Sequence, residues 1–204
     1  MDLRAYVYLD RMQPQFASYI ATTARGYLPV EGEAALFVEI APGIAVNRLV
    51  HIALKSTAVR PGMLVVERQF GMLEVHSPEQ AEVQAAGQAI LTELGVPEAS
   101  RYRPHILSTD IIRKVDSYQA QLINRFRYGN MLVAGQNLYI LEVEPAAYAS
   151  LAANEAEKTA RISLINVQVF GRTGRLYLGG EESDIIEASR ACLNALEQLE
   201  CRAE

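Results

Sequence analysis

The sequence predicts an α+β fold built twice in tandem, and three observations lead there. The 204-residue chain repeats itself at an offset of 103 positions without a gap. Each half alternates short strands with amphipathic helices. Half of the residues are hydrophobic and 21% are charged, the balance of a well-packed globular protein. The offset sets Gly26 on Gly129, Gly32 on Gly135, Glu39 on Glu142, Pro42 on Pro145, Lys55 on Lys158, Gly71 on Gly174 and Leu73 on Leu176. Identical pairs are few, but several are glycines and one is a proline, residues placed by backbone geometry, so turns and chain reversals recur. The halves are therefore expected to be two domains, 1–101 and 102–204, each of a size that supports its own core. Strands and helices mixed in such a unit predict a sheet with helices on one face.

The elements follow in order. Residues 3–9 alternate as a strand, with Arg4, Tyr6 and Tyr8 on one side and Ala5, Val7 and Leu9 on the other. Residues 15–24 are helical in character, and Gly26 is expected to close that helix as a C′ residue. Residues 34–40 form a strand ended by Pro42. Residues 44–57 place Ile44, Leu49 and Ala53 at helical spacing. Residues 63–75 hold two apolar runs broken at 67–71, which predicts strand, turn and strand. Ser77-Pro78-Glu79 supplies a cap and a first-turn proline for a helix reaching about Leu94, with Ala85, Ile90 and Leu94 inward. Residues 95–104 carry two prolines and little periodicity, marking the junction. The second half repeats the order, with helices at 118–126, 147–160 and 182–199 and strands at 137–143 and within 165–178.

Composition excludes several classes of function. A net charge of −5 argues against a broad nucleic-acid surface. No apolar run approaches the roughly 18 residues of a membrane span, since Glu39 and Pro42 interrupt the most apolar stretch. The first residues lack the basic and apolar regions of a signal peptide, so cytosolic residence is expected. No catalytic, metal or cofactor site is expected either. His51, His76 and His105 stand far apart, and each reads as a surface or structural histidine. Gly171-Arg172-Thr173-Gly174-Arg175 lacks the lysine ending of a phosphate loop. If the segment carrying Cys192 and Cys201 is helical, their spacing of nine points them to opposite sides, so they cannot bridge.

The strongest local signal is Val65-Val66-Glu67-Arg68-Gln69-Phe70-Gly71, where two opposite charges sit at a hairpin tip between apolar strands. Its counterpart, Gln168-Val169-Phe170-Gly171-Arg172, has different chemistry. A shared scaffold with diverged tips points to tips that have specialised.

Six segments carry a resemblance: Tyr8-Leu9-Asp10, Glu39-Ile40-Ala41-Pro42-Gly43, Val66-Glu67-Arg68, the run from Gln119 to Arg125, the run from Ala152 to Lys158, and Gly174-Arg175-Leu176-Tyr177-Leu178. Together they resemble the tandem-domain, trimer-forming class of bacterial microcompartment shell proteins, and within it those of the carboxysome. The similarity covers essentially the whole chain. The resemblance implies two circularly permuted, ferredoxin-like shell domains and a homotrimer closing into a pseudo-hexagonal tile. It also implies tiles stacked in pairs, a shell shared with other hexamers and pentamers, and a pore passing small phosphorylated metabolites. In that family the gate is a Glu-Arg pair at the axis, which maps onto Glu67 and Arg68. Phe170, Gly171 and Arg172 then fall on the second pore-side loop, and Lys55 and Lys158 at tile edges. Three positions depart from the family's habit: His51 for Asp, Phe70 for Tyr, and Arg172-Thr173 for Ala-Phe. Two other readings stand beside the shell tile: a soluble metabolite-binding or regulatory protein with a site between subunits, and a small enzyme using an inter-subunit site. No converging acid–base group supports the enzyme.

Overall fold

The computed structural model describes residues 1–202. Their order is β1 (Asp2–Leu9), α1 (Pro14–Thr23), β2 (Ala34–Ala41), α2 (Val46–Ser56), β3 (Arg60–Glu67), β4 (Phe70–Ser77) and α3 (Gln80–Leu94). The second half runs β5 (His105–Ile112), α4 (Ser117–Phe126), β6 (Asn137–Glu144), α5 (Tyr148–Thr159), β7 (Ser163–Gln168), β8 (Gly174–Gly180) and α6 (Glu182–Glu197). Two four-stranded antiparallel sheets result, ordered β1-β2-β4-β3 and β5-β6-β8-β7. The offset survives at the level of single pairs. Ala5 opposes Glu39 and Ser108 opposes Glu142, each just after a bulge in the leading strand. Pro42 and Pro145 both follow cis peptide bonds, and Gly32 and Gly135 both take positive φ.

The structure corrects several expectations. Helices lie on both faces of the first sheet, not one. Leu36, Val38, Leu73 and Val75 pack with Leu49, Ala53, Val83 and Ile90 of α2 and α3. The opposite face, with Ala5, Val7, Phe37 and Met72, packs under Phe16 and Ile20 of α1. Both faces of these strands are apolar, so alternation along them carries no sign of which side a helix takes. Gly26 is not a C′ residue, because the residue capping α1, Ala24, is extended (ψ 140°) and Gly26 has no positive φ. Its reason is close approach: its N–H donates to Gly62 O at 3.0 Å, and a Cβ would run into Pro61 O. Ser77 is the last residue of β4 and accepts the Glu79 N–H at 3.1 Å; α3 starts at Gln80 without a side-chain cap. The inner side of α3 is Val83, Ala86, Gly87, Ile90 and Leu91, while Ala85 faces solvent. Ile44 lies before α2 and is 69% exposed. Cys201 lies beyond α6, so the helical spacing argument does not apply to it; both thiols are free, with Cys192 buried. β5 is an element that the sequence reading did not assign.

The two halves share a core. Phe16, Ala17, Tyr19 and Ile20 of α1 pack with Ala149, Ala152, Ala153, Leu164 and Val167 of the second half. The second half also caps α1. Glu157 Oε1 accepts the Gln15 N–H at 2.7 Å, and its Oε2 accepts the Phe16 N–H at 2.9 Å. Asn154 Oδ1 takes the Gln13 N–H at 2.9 Å. These are donors that a helix start leaves open. In α4 the matching job is done locally, by Asp116 accepting the Tyr118 N–H at 2.8 Å.

Candidate functional site

The Glu67-Arg68 hairpin is built tightly. β3 and β4 run in register to the pair Glu67–Phe70, leaving only Arg68 and Gln69 in the turn, narrower than the five-residue break expected at 67–71. Arg68 has φ +53°, a left-handed conformation that costs a residue with a Cβ about 1–2 kcal/mol. The matching residue of the second half is Gly171, with φ +102°, which pays no such cost. An arginine held where the repeat uses glycine marks a side chain kept for what it does. Arg68 is exposed and Glu67 half-buried. The Gly43 N–H donates to Gln69 O at 2.8 Å and ties the turn to the chain before α2.

The second tip differs. β7 stops at Gln168 and β8 begins at Gly174, so residues 169–173 form an irregular loop. Gln168 Nε2 donates to Phe170 O at 3.1 Å, Phe170 leans on the shared core, and Arg172 is exposed. The two tips meet: a Cβ placed on Gly171 would lie 3.3 Å from Glu67 Oε2. The structure thus brings Glu67 and Gly171 together, with Arg68, Phe170 and Arg172 beside them in the chain. Lys55 and Lys158 sit elsewhere, in the last turns of α2 and α5. Lys158 lies 3.5 Å from Glu155.

Behind the first tip stands a residue that sequence reading did not single out. The bulge between Leu3 and Ala5 turns Arg4 out of the alternation and inward. Its Nε donates to Glu39 Oε1 at 2.7 Å and its Nη2 to Glu144 Oε1 at 3.3 Å. Glu39, 1% exposed, also accepts the Ala147 N–H on Oε2 at 3.0 Å. Burial pushes the Glu39 carboxyl up, against the hydrogen bonds from Arg4 and Ala147. Its counterpart Glu142 accepts instead from Thr173 at 2.7 Å and Arg175 at 3.1 Å, which hold it below the usual carboxylate range. A signal existed for Glu39, a carboxylate inside an apolar strand; none existed for the bulge.

The histidines divide. His51 and His105 are exposed, whereas His76 is fully buried with Nδ1 2.9 Å from Glu74 Oε1, a structural pair on the face under α1. No metal-ligand cluster occurs among the described residues, and no described helix is long and apolar enough to cross a membrane.

Comparison with known proteins agrees with this geometry. Residues 3–100 match the family model described as the CsoS1D N-terminal domain. The chain is 55% identical over 202 residues to the carboxysome shell protein CcmP of Synechococcus elongatus, covering 99% of this chain and 95% of that protein. Among solved structures it matches the fused permuted hexameric shell protein MSM0275 of the RMM microcompartment, at 43% identity and a TM-score of 0.96, with both chains covered fully. The double-ringed trimeric shell protein MSM0271 of the same compartment follows at 40% identity and a TM-score of 0.95, over 100% of this chain and 99% of that one. Of the three functional readings, these relatives favour the structural shell protein over the metabolite sensor and the enzyme. The tandem sheets, the offset that holds down to single residue pairs and this depth of identity lead to one conclusion: the chain belongs to the CcmP and CsoS1D family of carboxysome shell proteins.

Proposed function

We propose that three copies of this chain close into a six-sided carboxysome tile whose two domain kinds, 1–101 and 102–204, alternate around a gated pore for small phosphorylated metabolites. One observation carries the reading: the surface that the first half buries against the second recurs, uncovered, on the second half. α1 is sealed by α5 and β7, but the matching helix α4 leaves Tyr118 76% and Leu122 60% exposed. On the other side, Leu54 and Ile44 of the first half stand bare at the positions of Glu157 and Ala147. An interface with one surface offered and a different one sought repeats from chain to chain until a ring closes. Leu54 in place of Glu157 fits, because α4 caps itself with Asp116 and asks for no carboxylate.

Alternation around the ring brings Glu67-Arg68 and Phe170-Gly171-Arg172 to the axis in turn. Arg68 and Arg172 give the rim a basic lining suited to phosphate esters. Exposed Glu–Arg pairs are worth about 0–1 kcal/mol each, so either tip position costs little. The apolar loop tips Tyr27, Leu28 and Val30, with Tyr128, Met131 and Val133, support stacking of tiles in pairs. Residues 26 and 27 bond to Gly62 and Pro61 near the start of β3, so these tips lie toward the end of that strand about 20 Å from the gate.

The test is the pore itself. Arg68→Gly and Glu67→Ala are expected to leave trimers intact and shift tiles toward an open axis, read as the fraction of open particles by cryo-electron microscopy. Arg68→Gly copies Gly171 and removes the charge without straining the turn. A trimer lost by either change, or an unchanged pore in both, refutes the gate. Lys55→Asp is expected to give soluble tiles that fail to join neighbours in two-dimensional sheets; normal sheet formation removes the edge role.

A further inference from the structure

We propose that Arg4 is a positioning residue for the gate, latching its hairpin through the ring of Phe70. The inference rests on the reading of Glu67-Arg68 as that gate. Phe70 directly follows the two-residue turn and pairs with Glu67 across it. Its ring lies under the Arg4 guanidinium, whose central carbon is 3.7 Å from the ring centroid. Arg4 itself is fixed. Glu39 and Glu144 hold its nitrogens, the Tyr102 ring stands 5.3 Å away, and the Tyr102 N–H bonds to Arg4 O at 2.9 Å. Glu39 belongs to β2 and Glu144 to the end of β6, so the node spans both halves of the chain.

The magnitudes decide where control sits. A cation over a ring, shielded from water, attracts more strongly than an exposed ion pair. Glu67 and Arg68 at the tip are open to solvent on at least one side, whereas Arg4 is buried. The tip charges therefore choose partners, while the Phe70 contact sets which hairpin position is populated. Left-handed backbone at Arg68 adds a reason for the turn to leave this position once the ring lets go. The second half carries no equivalent: Leu107 replaces Arg4, Thr173 replaces Phe70, and Thr173 bonds Glu142 instead. The latch occurs only on the hairpin that bears the charge pair.

The test uses intact trimers of Phe70→Leu and Phe70→Tyr, with Glu67→Ala as reference. Cryo-electron microscopy counts hairpins with residue 70 against Arg4 and hairpins displaced from it, and hydrogen exchange follows the amides of residues 66–71. Phe70→Leu is expected to raise the displaced fraction and the exchange of those amides about tenfold or more, with trimer mass unchanged and the thermal midpoint within a few degrees. Phe70→Tyr, which keeps an aromatic face, is expected to retain the original distribution. If Glu67→Ala shifts the pore and Phe70→Leu does not, the latch is overturned and the gate stands. If Phe70→Tyr behaves as Phe70→Leu, the ring is not the holding group and the latch is again overturned. Neither Glu67→Ala nor Phe70→Leu moving the pore overturns both.

Discussion

Arg4→Ala is expected to lower the unfolding free energy by about 3–5 kcal/mol, because it strands Glu39, only 1% exposed, without its cation. At roughly 2–4 °C per kcal/mol for a chain of this size, the thermal midpoint falls by about 10 °C. Glu39 keeps the Ala147 N–H, a neutral donor that does not replace the lost cation. The double variant Arg4→Ala/Glu39→Ala is expected to be more stable than Arg4→Ala, since no orphaned charge remains.

The pH dependence gives the sign. Burial already raises the Glu39 carboxyl above its ordinary 4.5, with Arg4 opposing, so loss of Arg4 raises it further. A carboxyl raised by folding contributes stability that is present below its unfolded pKa and lost as pH rises through its folded pKa. The gap between wild type and Arg4→Ala should therefore be widest at neutral pH and narrow toward pH 4.5, followed by thermal melts across that window. A gap that ignores pH, or a double variant no better than the single, shows that lost packing of Arg4 and not the stranded carboxylate is at fault.

Much of this fold was legible because the repeat is written in residues that backbone geometry selects. Gly32 and Gly135 take positive φ at the same turn, and Gly26 and Gly129 approach the opposite strand's carbonyls in the same way. The hairpin at Glu67-Arg68 was legible too, since charges between apolar runs mark a turn. What lay beneath it was not. Strict alternation put Arg4 on the side of Tyr6 and Tyr8, and a single bulge moved it to the side of Glu39 and Phe70. A bulge leaves no compositional mark, so a strand's facing can change without notice. The exposure of Ile44 escaped for a related reason. Helical spacing joined it to Leu49 and Ala53, but the chain bends through a 3-10 turn at Gly43–Ala45 before α2 begins. An apolar residue that no intrachain core claims was thereby placed inside the helix.

That misread residue supports the second large expectation: Ile44→Glu should abolish the trimer and leave folded monomer, one third of the mass of a single tile and one sixth of a stacked pair by light scattering. Ile44 stands where the second half has Ala147, which is fully buried against the first half and gives its N–H to Glu39. In the proposed ring this contact repeats between chains, so the Ile44 N–H of one copy is expected to fall to Glu142 of the next. Beside Glu142 lies a cavity of about 100 Å³ lined by Ser108, Ile140, Leu141, Arg175 and Tyr177. Isoleucine is larger than alanine, and on the proposed ring this cavity offers room for the difference. Burying such a side chain is worth about 1.5–3 kcal/mol at each of three interfaces. A glutamate there loses that gain and sets a second carboxylate against Glu142, unfavourable by several kcal/mol once water is excluded. Because Ile44 is 69% exposed within one chain, the variant keeps the monomer's stability, which separates a broken ring from a broken fold. Ile44→Val, which keeps an apolar plug, is expected to remain trimeric. Trimers of undiminished mass in Ile44→Glu at micromolar concentration are incompatible with a ring in which the second interface repeats the first.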